Sequence, residues 1–164
     1  MRRFLPALAI IGAFAAQPAL AQHHCAALAD QAVFEVQALR SRLVVVATGC
    51  PETERYKAFV ARYQRDLQAN ASSLTAWFKR RYAGRGVFEH DKFVTELTNA
   101  MSSGANVLGG DFCPHDGLLF DEVMALPSGA DLAAYAAAKD LIPVSIEICP
   151  GQQTKPAPKP PIKR

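Results

Sequence analysis

Apolar residues recur at steps near three and four along most of the chain, a pattern that predicts helices in series. The first runs from about His24 to Thr48, with Leu28, Ala32, Phe34 or Glu35, Leu39, Leu43 and Val46 on one face and Gly49 at its end. The sharpest pattern follows: Tyr56, Phe59, Val60, Tyr63, Leu67, Leu74, Trp77 and Phe78. It opens at Cys50-Pro51, read as an N-cap with proline at the first helical position, and Glu52 and Glu54 fall where the helix dipole favours acids. It closes on Lys79, Arg80 and Arg81, with Gly84 as a left-handed cap. This stretch of roughly thirty residues either runs unbroken or bends at Asn70-Ala71-Ser72-Ser73, where helix propensity is weakest.

A third helix is predicted from Glu89 to Leu108 through Phe93, Val94, Leu97, Met101 and Val107, with Ser102-Ser103-Gly104 as a weak point and Gly109-Gly110 as its stop. Cys113-Pro114 repeats the cap-and-proline device before a short helix carrying Leu118, Leu119, Phe120, Val123 and Met124, ended by Pro127. Ser128 and Asp131 suit a capping box for a fifth, alanine-rich helix over Gly129 to Leu141. Pro143 to Cys149 reads as a short extended segment. No hairpin or βαβ pattern is present, so the expected fold is all-α, an up-and-down bundle of four to five helices.

The two ends differ in kind from this middle. Met1 to Ala21 has Arg2 and Arg3, an apolar run from Phe4 to Ala16 and Ala19-Leu20-Ala21 as a small-x-small cleavage site, which together read as an export signal (residues 1–21). No stretch reaches the roughly 20 apolar residues of a membrane span, so an integral membrane protein is not expected. Residues 151–164 are rich in proline and lysine, with no acid, and are expected to be a disordered, polyproline-like tail. Residues 22–150 remain as one helical domain.

Charge changes meaning once these parts are separated. The chain's formal +3 includes two signal arginines and four tail cations; without them, 12 Lys and Arg face 15 acids, or −3. Glu52 to Arg85 holds eight cations and three acids, whereas Glu89 to Cys149 holds two cations and ten acids. The domain is therefore polarised, and its sign argues against a nucleic-acid partner.

Cys25, Cys50, Cys113 and Cys149 all lie in the exported part, an even number in an oxidising compartment, so two disulfides are expected. The absence of C-x-x-C spacing disfavours thioredoxin-type redox chemistry and four-cysteine zinc. A helix from residue 25 to 48 is roughly 35 Å long, which keeps Cys25 from Cys50. The second and fourth helices of an up-and-down bundle start at one end, so Cys50 to Cys113 and Cys25 to Cys149 are the preferred pairs.

Candidate chemistry is sparse. Cleavage after Ala21 would leave Gln22-His23-His24, and a free amine with histidine third can hold Cu(II) or Ni(II) in square-planar nitrogen. No other cofactor is implied. His90-Asp91 and His115-Asp116 look like fragments of phosphohydrolase metal sites, but each lies near a helix start, where Asp91 and Asp116 are ordinary dipole-favoured acids. Asp111 to Gly117 lacks the one-three-five oxygen ligands of a calcium loop. Lys79, Arg80, Arg81 and Arg85, with Tyr82 among them, form the candidate anion-binding cluster; the plainer reading is hydrated cations at a helix C-terminus. No G-x-S-x-G, H-E-x-x-H or phosphate loop is present, so no catalytic residue is assigned and no enzymatic activity is expected.

Thr48-Gly49-Cys50, Tyr56-Lys57-Ala58-Phe59-Val60, Phe112-Cys113 and Leu119-Phe120-Asp121-Glu122-Val123 together resemble small uncharacterised, exported bacterial helical proteins with paired cysteines. The likeness covers residues 25 to 145 and implies a periplasmic or secreted all-helical protein, with no catalytic residue carried over. Such proteins also include immunity proteins and inhibitors of cell-wall enzymes, which is an analogy of class alone. The expected function is non-catalytic binding of a protein or envelope component.

Overall fold

The computed structural model describes residues 26–142. The export signal, Gln22 to Cys25, Pro143 to Cys149 and the tail lie outside the described residues, and with them the candidate metal ligands His23 and His24 and the pairing of Cys25 with Cys149. Every regular element among the described residues is helical: α1 (Leu28–Gly49), α2 (Thr53–Arg62), α3 (Gln64–Tyr82), α4 (Gly86–Leu108), α5 (Phe112–Asp116), α6 (Leu118–Ala125) and α7 (Leu132–Ala138), with short 3₁₀ turns between some of them. Taken with their near-continuous neighbours, α2 with α3 and α5 with α6, they make five helical units, as the spacing predicts.

The first helix departs from its predicted one-sided pattern. Residues 34 to 39 are buried without interruption, Glu35 and Gln37 included, and Ser41, Leu43 and Val45 to Ala47 follow, while Ala32 is exposed. A helix buried all round belongs at the centre of its fold. α1 indeed contacts α2, α3, α4, α5 and α7. Each fully buried Leu or Val on it, such as Leu39, Leu43 and Val46, contributes about 2 kcal/mol of transfer free energy.

Helix boundaries correct several sequence expectations. Cys50 does not cap the second helix; its backbone N–H donates to Val46 O, so it closes α1, and Glu52 stands at the N-cap of α2. Asn70 to Ser73 lie unbroken inside α3, and the bend falls at Tyr63. There the Tyr63 hydroxyl donates to Val123 O at 2.6 Å and Arg62 to Leu126 O at 2.9 Å. The bend lets one helical stretch lie along α1 while reaching two further neighbours, α2 packing on α6 and α3 on α4. Ser102 to Gly104 leave α4 continuous.

The left-handed turn expected at Gly84 is taken by Ala83 (φ +46°), and α4 starts at Gly86, three residues early. Gly109 (φ +55°) ends α4 as predicted. Cys113 and Pro114 sit inside α5 instead of opening it, and Gly117 divides α5 from α6. A Cβ on Gly117 would lie 2.6 Å from Cys113 O. The Ser128–Asp131 capping box is present, and the helix it starts stops at Ala138, before the predicted Leu141, with Asp140 at φ +50°.

Cys50 and Cys113 are joined, with Cα atoms 5.7 Å apart. This is one of the two preferred pairs, although neither cysteine begins a helix in the way that suggested it. The bond ties the end of α1 to α5.

Candidate functional site

Two clusters of polar side chains bear on function. One is a cationic tip where α3 turns into α4. The last turn of α3 carries Lys79, Arg80 and Arg81, where cations complement the helix dipole. The 3₁₀ turn Ala83–Arg85 then reverses the chain. The reversal is tight enough to require glycine at position 86, because a Cβ there would stand 2.5 Å from Lys79 Cα and 2.8 Å from its nitrogen. Backbone contact at that point brings the start of α4, where Val87 and Phe88 follow Gly86, against the last turn of α3.

Lys79, Arg80, Arg81 and Arg85 are all exposed, and Lys79 and Arg80 make no ion pair among the described residues. Arg85 pairs with Glu89, and its guanidinium lies 5.8 Å from the Phe88 ring centroid. The tip rests on an aromatic cluster. Trp77 meets Phe34 edge to face at 5.0 Å and donates its indole N–H to Asp30 Oδ2 at 3.1 Å, and Phe78 stacks on Tyr82 at 5.8 Å. Burial, and after it the Glu89 charge, pushes the Tyr82 hydroxyl up from its usual pKa. His90 faces the edge of Phe78, with Nδ1 2.9 Å from Asp91 Oδ1.

The other cluster is buried beside the disulfide. Arg42 of α1 donates from Nη2 to Asp116 Oδ2 at 2.5 Å and from Nη1 to Met101 O at 3.2 Å, and covers the Phe112 ring. The two side chains are only 13% and 5% exposed. His115 Nδ1 lies 3.3 Å from the other oxygen of Asp116. These groups line a 270 Å³ pocket with Glu122, Lys139 and Leu141. Hydrogen bonds from Lys139 and then Tyr135 hold the Glu122 carboxyl below its ordinary range, and burial with Glu122 beside it pushes the Tyr135 hydroxyl up.

Chemically, this second cluster reads as a strut. His115 backed by Asp116 has the outline of a base and its orienting carboxylate, but Asp116 is already engaged by Arg42, and the pocket lining offers no serine, threonine or free thiol. His115-Asp116 and His90-Asp91 remain isolated pairs, and no group of three or more His, Cys, Asp or Glu among the described residues is placed to hold a metal ion. Likewise no described helix is long and apolar enough to cross a membrane.

Sequence reading found the four cations of the tip but missed Val87 and Phe88, because it began the helix after them. The local signal was there: two adjacent apolar residues between Arg85 and Glu89, directly after a glycine. Arg42 with Asp116 had no local signal, being 74 residues apart. No family model matches the sequence, and no curated protein or solved structure is detectably similar to it.

Proposed function

We propose a non-catalytic binding protein of the periplasm or extracellular space that engages an anionic envelope component, or a protein partner, through the cationic tip. The supporting observation is that Lys79 and Arg80 stand exposed side by side with no ion pair among the described residues. Both complement the C-terminus of α3, and, being exposed and without an ion pair, they remain open to a ligand of opposite charge. In this reading a second bridge, Cys25 to Cys149, ties the ends of an up-and-down bundle. Retention of the protein on envelope extracts at low salt, reduced at high salt and by Lys79→Ser with Arg80→Ser, is the expected result. Retention unchanged by both treatments would remove the tip as the binding site.

An inhibitor or immunity protein against a cell-wall enzyme is the form of this reading in which the partner is a protein. A separate reading rests on sequence alone: after cleavage at Ala21, Gln22-His23-His24 binds Cu(II) or Ni(II) through the new amine and His24. Titration of the processed protein against His24→Ala checks it, and equal Cu(II) affinities would rule it out.

A further inference from the structure

Five large apolar side chains are exposed among the described residues: Val87, Phe88, Val107, Leu108 and Leu118. The last three flank Cys113 in sequence, at the end of α4 and the start of α6. Val87 and Phe88, 57% and 61% exposed, differ in their company. From Lys79 to Lys92 the chain carries five cations and two carboxylates, of which Glu89 pairs with Arg85 and Asp91 Oδ1 lies 2.9 Å from His90 Nδ1.

We infer that the α3–α4 tip docks on anionic phospholipid, with Val87 and Phe88 entering the boundary between headgroups and acyl chains while Lys79 and Arg80 lie on the headgroup phosphates. The inference rests on the reading of the tip as a binding site and names its ligand. Three observations carry it. First, the apolar pair sits at the start of α4, next to the chain reversal, with cations on both sides of it in sequence, so the two apolar side chains can lower into the interface while long basic side chains stay at the phosphates. Second, two side chains are too small a patch for a stable protein interface, which buries about 800 Å² on each partner. Third, the charge is complementary: each cation near an anionic bilayer strengthens attraction about fivefold. Weak apolar insertion and weak electrostatic attraction are individually insufficient for stable membrane binding and sufficient together. Free phosphate would use the cations and leave Val87 and Phe88 without a role.

The test uses the full chain with its disulfides oxidised, sedimented with vesicles of phosphatidylcholine alone and of phosphatidylcholine mixed with phosphatidylglycerol. Binding is expected on the mixed vesicles only, and it should weaken steeply with added salt. Phe88→Asp should lower the affinity about tenfold or more, and Lys79→Ser with Arg80→Ser about twentyfold or more. Both changes are at exposed positions, and an unchanged thermal melt confirms that the variants fold. The basic tail is common to every variant, so binding that Phe88→Asp leaves intact belongs to the tail and overturns the inference. Wild-type protein that ignores the mixed vesicles also overturns it, while the envelope retention experiment still decides the broader reading. A Phe88-dependent dimer in analytical ultracentrifugation would assign the patch to a second copy and would likewise sink lipid docking.

Discussion

The central helix α1 passes through two regions that are held together differently. Around its C-terminal half, Leu39, Leu43 and Val46 pack with Phe59, Phe120 and Val123, and this region carries the Cys50–Cys113 bond and the buried Arg42–Asp116 pair. Around its N-terminal half, Phe34 packs with Leu74, Trp77 and Phe78, ring against ring, and no crosslink lies there among the described residues. The partners explain the difference. In the first region they include α5 and α6, of five and eight residues, too short to be stable helices by themselves. A covalent tie and a buried ion pair fix where these short pieces sit. In the second region two long helices, α3 and α4, lie along each other and their aromatic side chains pack around Phe34, with the outer end of the hairpin open to solvent.

The aromatic region should be the more sensitive to a single truncation. Phe34→Ala removes a ring that touches Trp77, Phe78 and Phe93, and is expected to cost about 3 to 5 kcal/mol in urea unfolding. Trp77, the single tryptophan, reports on this region by fluorescence, and far-UV dichroism reports on all the helices. Since α1 is shared, the two signals should change together in the wild type, and separate transitions would show the regions to be independent.

Replacing Cys50 and Cys113 by serine acts on the other side of the comparison. The bond spans 63 residues, and its loss should cost about 4 kcal/mol by chain entropy. The same unfolding measurement checks it; a loss below about 1 kcal/mol would mean that α5 and α6 hold their place without the bond.

The smallest effect has the opposite sign. Glu35 lies beside Phe34, buried, with Oε2 lacking a hydrogen-bond partner among the described residues and Gln31 donating to Oε1 at 3.1 Å. Burial, with Asp140 adding repulsion, raises its pKa above the ordinary 4.5. A carboxyl with a raised folded pKa binds its proton more tightly folded than unfolded, so stability from this group is greatest below 4.5 and declines as pH rises through the folded value. Glu35→Gln should therefore stabilise the protein at neutral pH and flatten that decline. A variant no more stable than wild type at neutral pH would show that Glu35 finds relief in its ionised form. Where the disulfide region pairs its buried charge, burial in the aromatic region disfavours the charged form of the Glu35 carboxyl.

The sequence made the helices legible because their apolar spacing is local, and the Gly109 stop and the Ser128–Asp131 box were read correctly for the same reason. It misplaced the bend because helix propensity near Asn70 was weighed without the Tyr63 hydroxyl's bond to Val123, a contact spanning 60 residues. The burial of α1 on all sides was likewise invisible. Glu35, Gln37, Ser41 and Arg42 look like a solvated face until Asp116, Met101 and the neighbouring helices close over them.

The sequence by itself determined the helices of the described residues and a cluster of cations at the end of one of them, both from spacing within a few turns. It reached the pair Cys50–Cys113 through helix starts that the structure does not have. Only the tertiary structure decided which charges are spent internally and which face outward. Arg42 is committed to Asp116 and Arg85 to Glu89, whereas Lys79 and Arg80 stand exposed with no ion pair among the described residues. The physical reason is that a charge's free energy depends on its access to water and on partners brought near it by the fold, and neither is set by its neighbours in sequence.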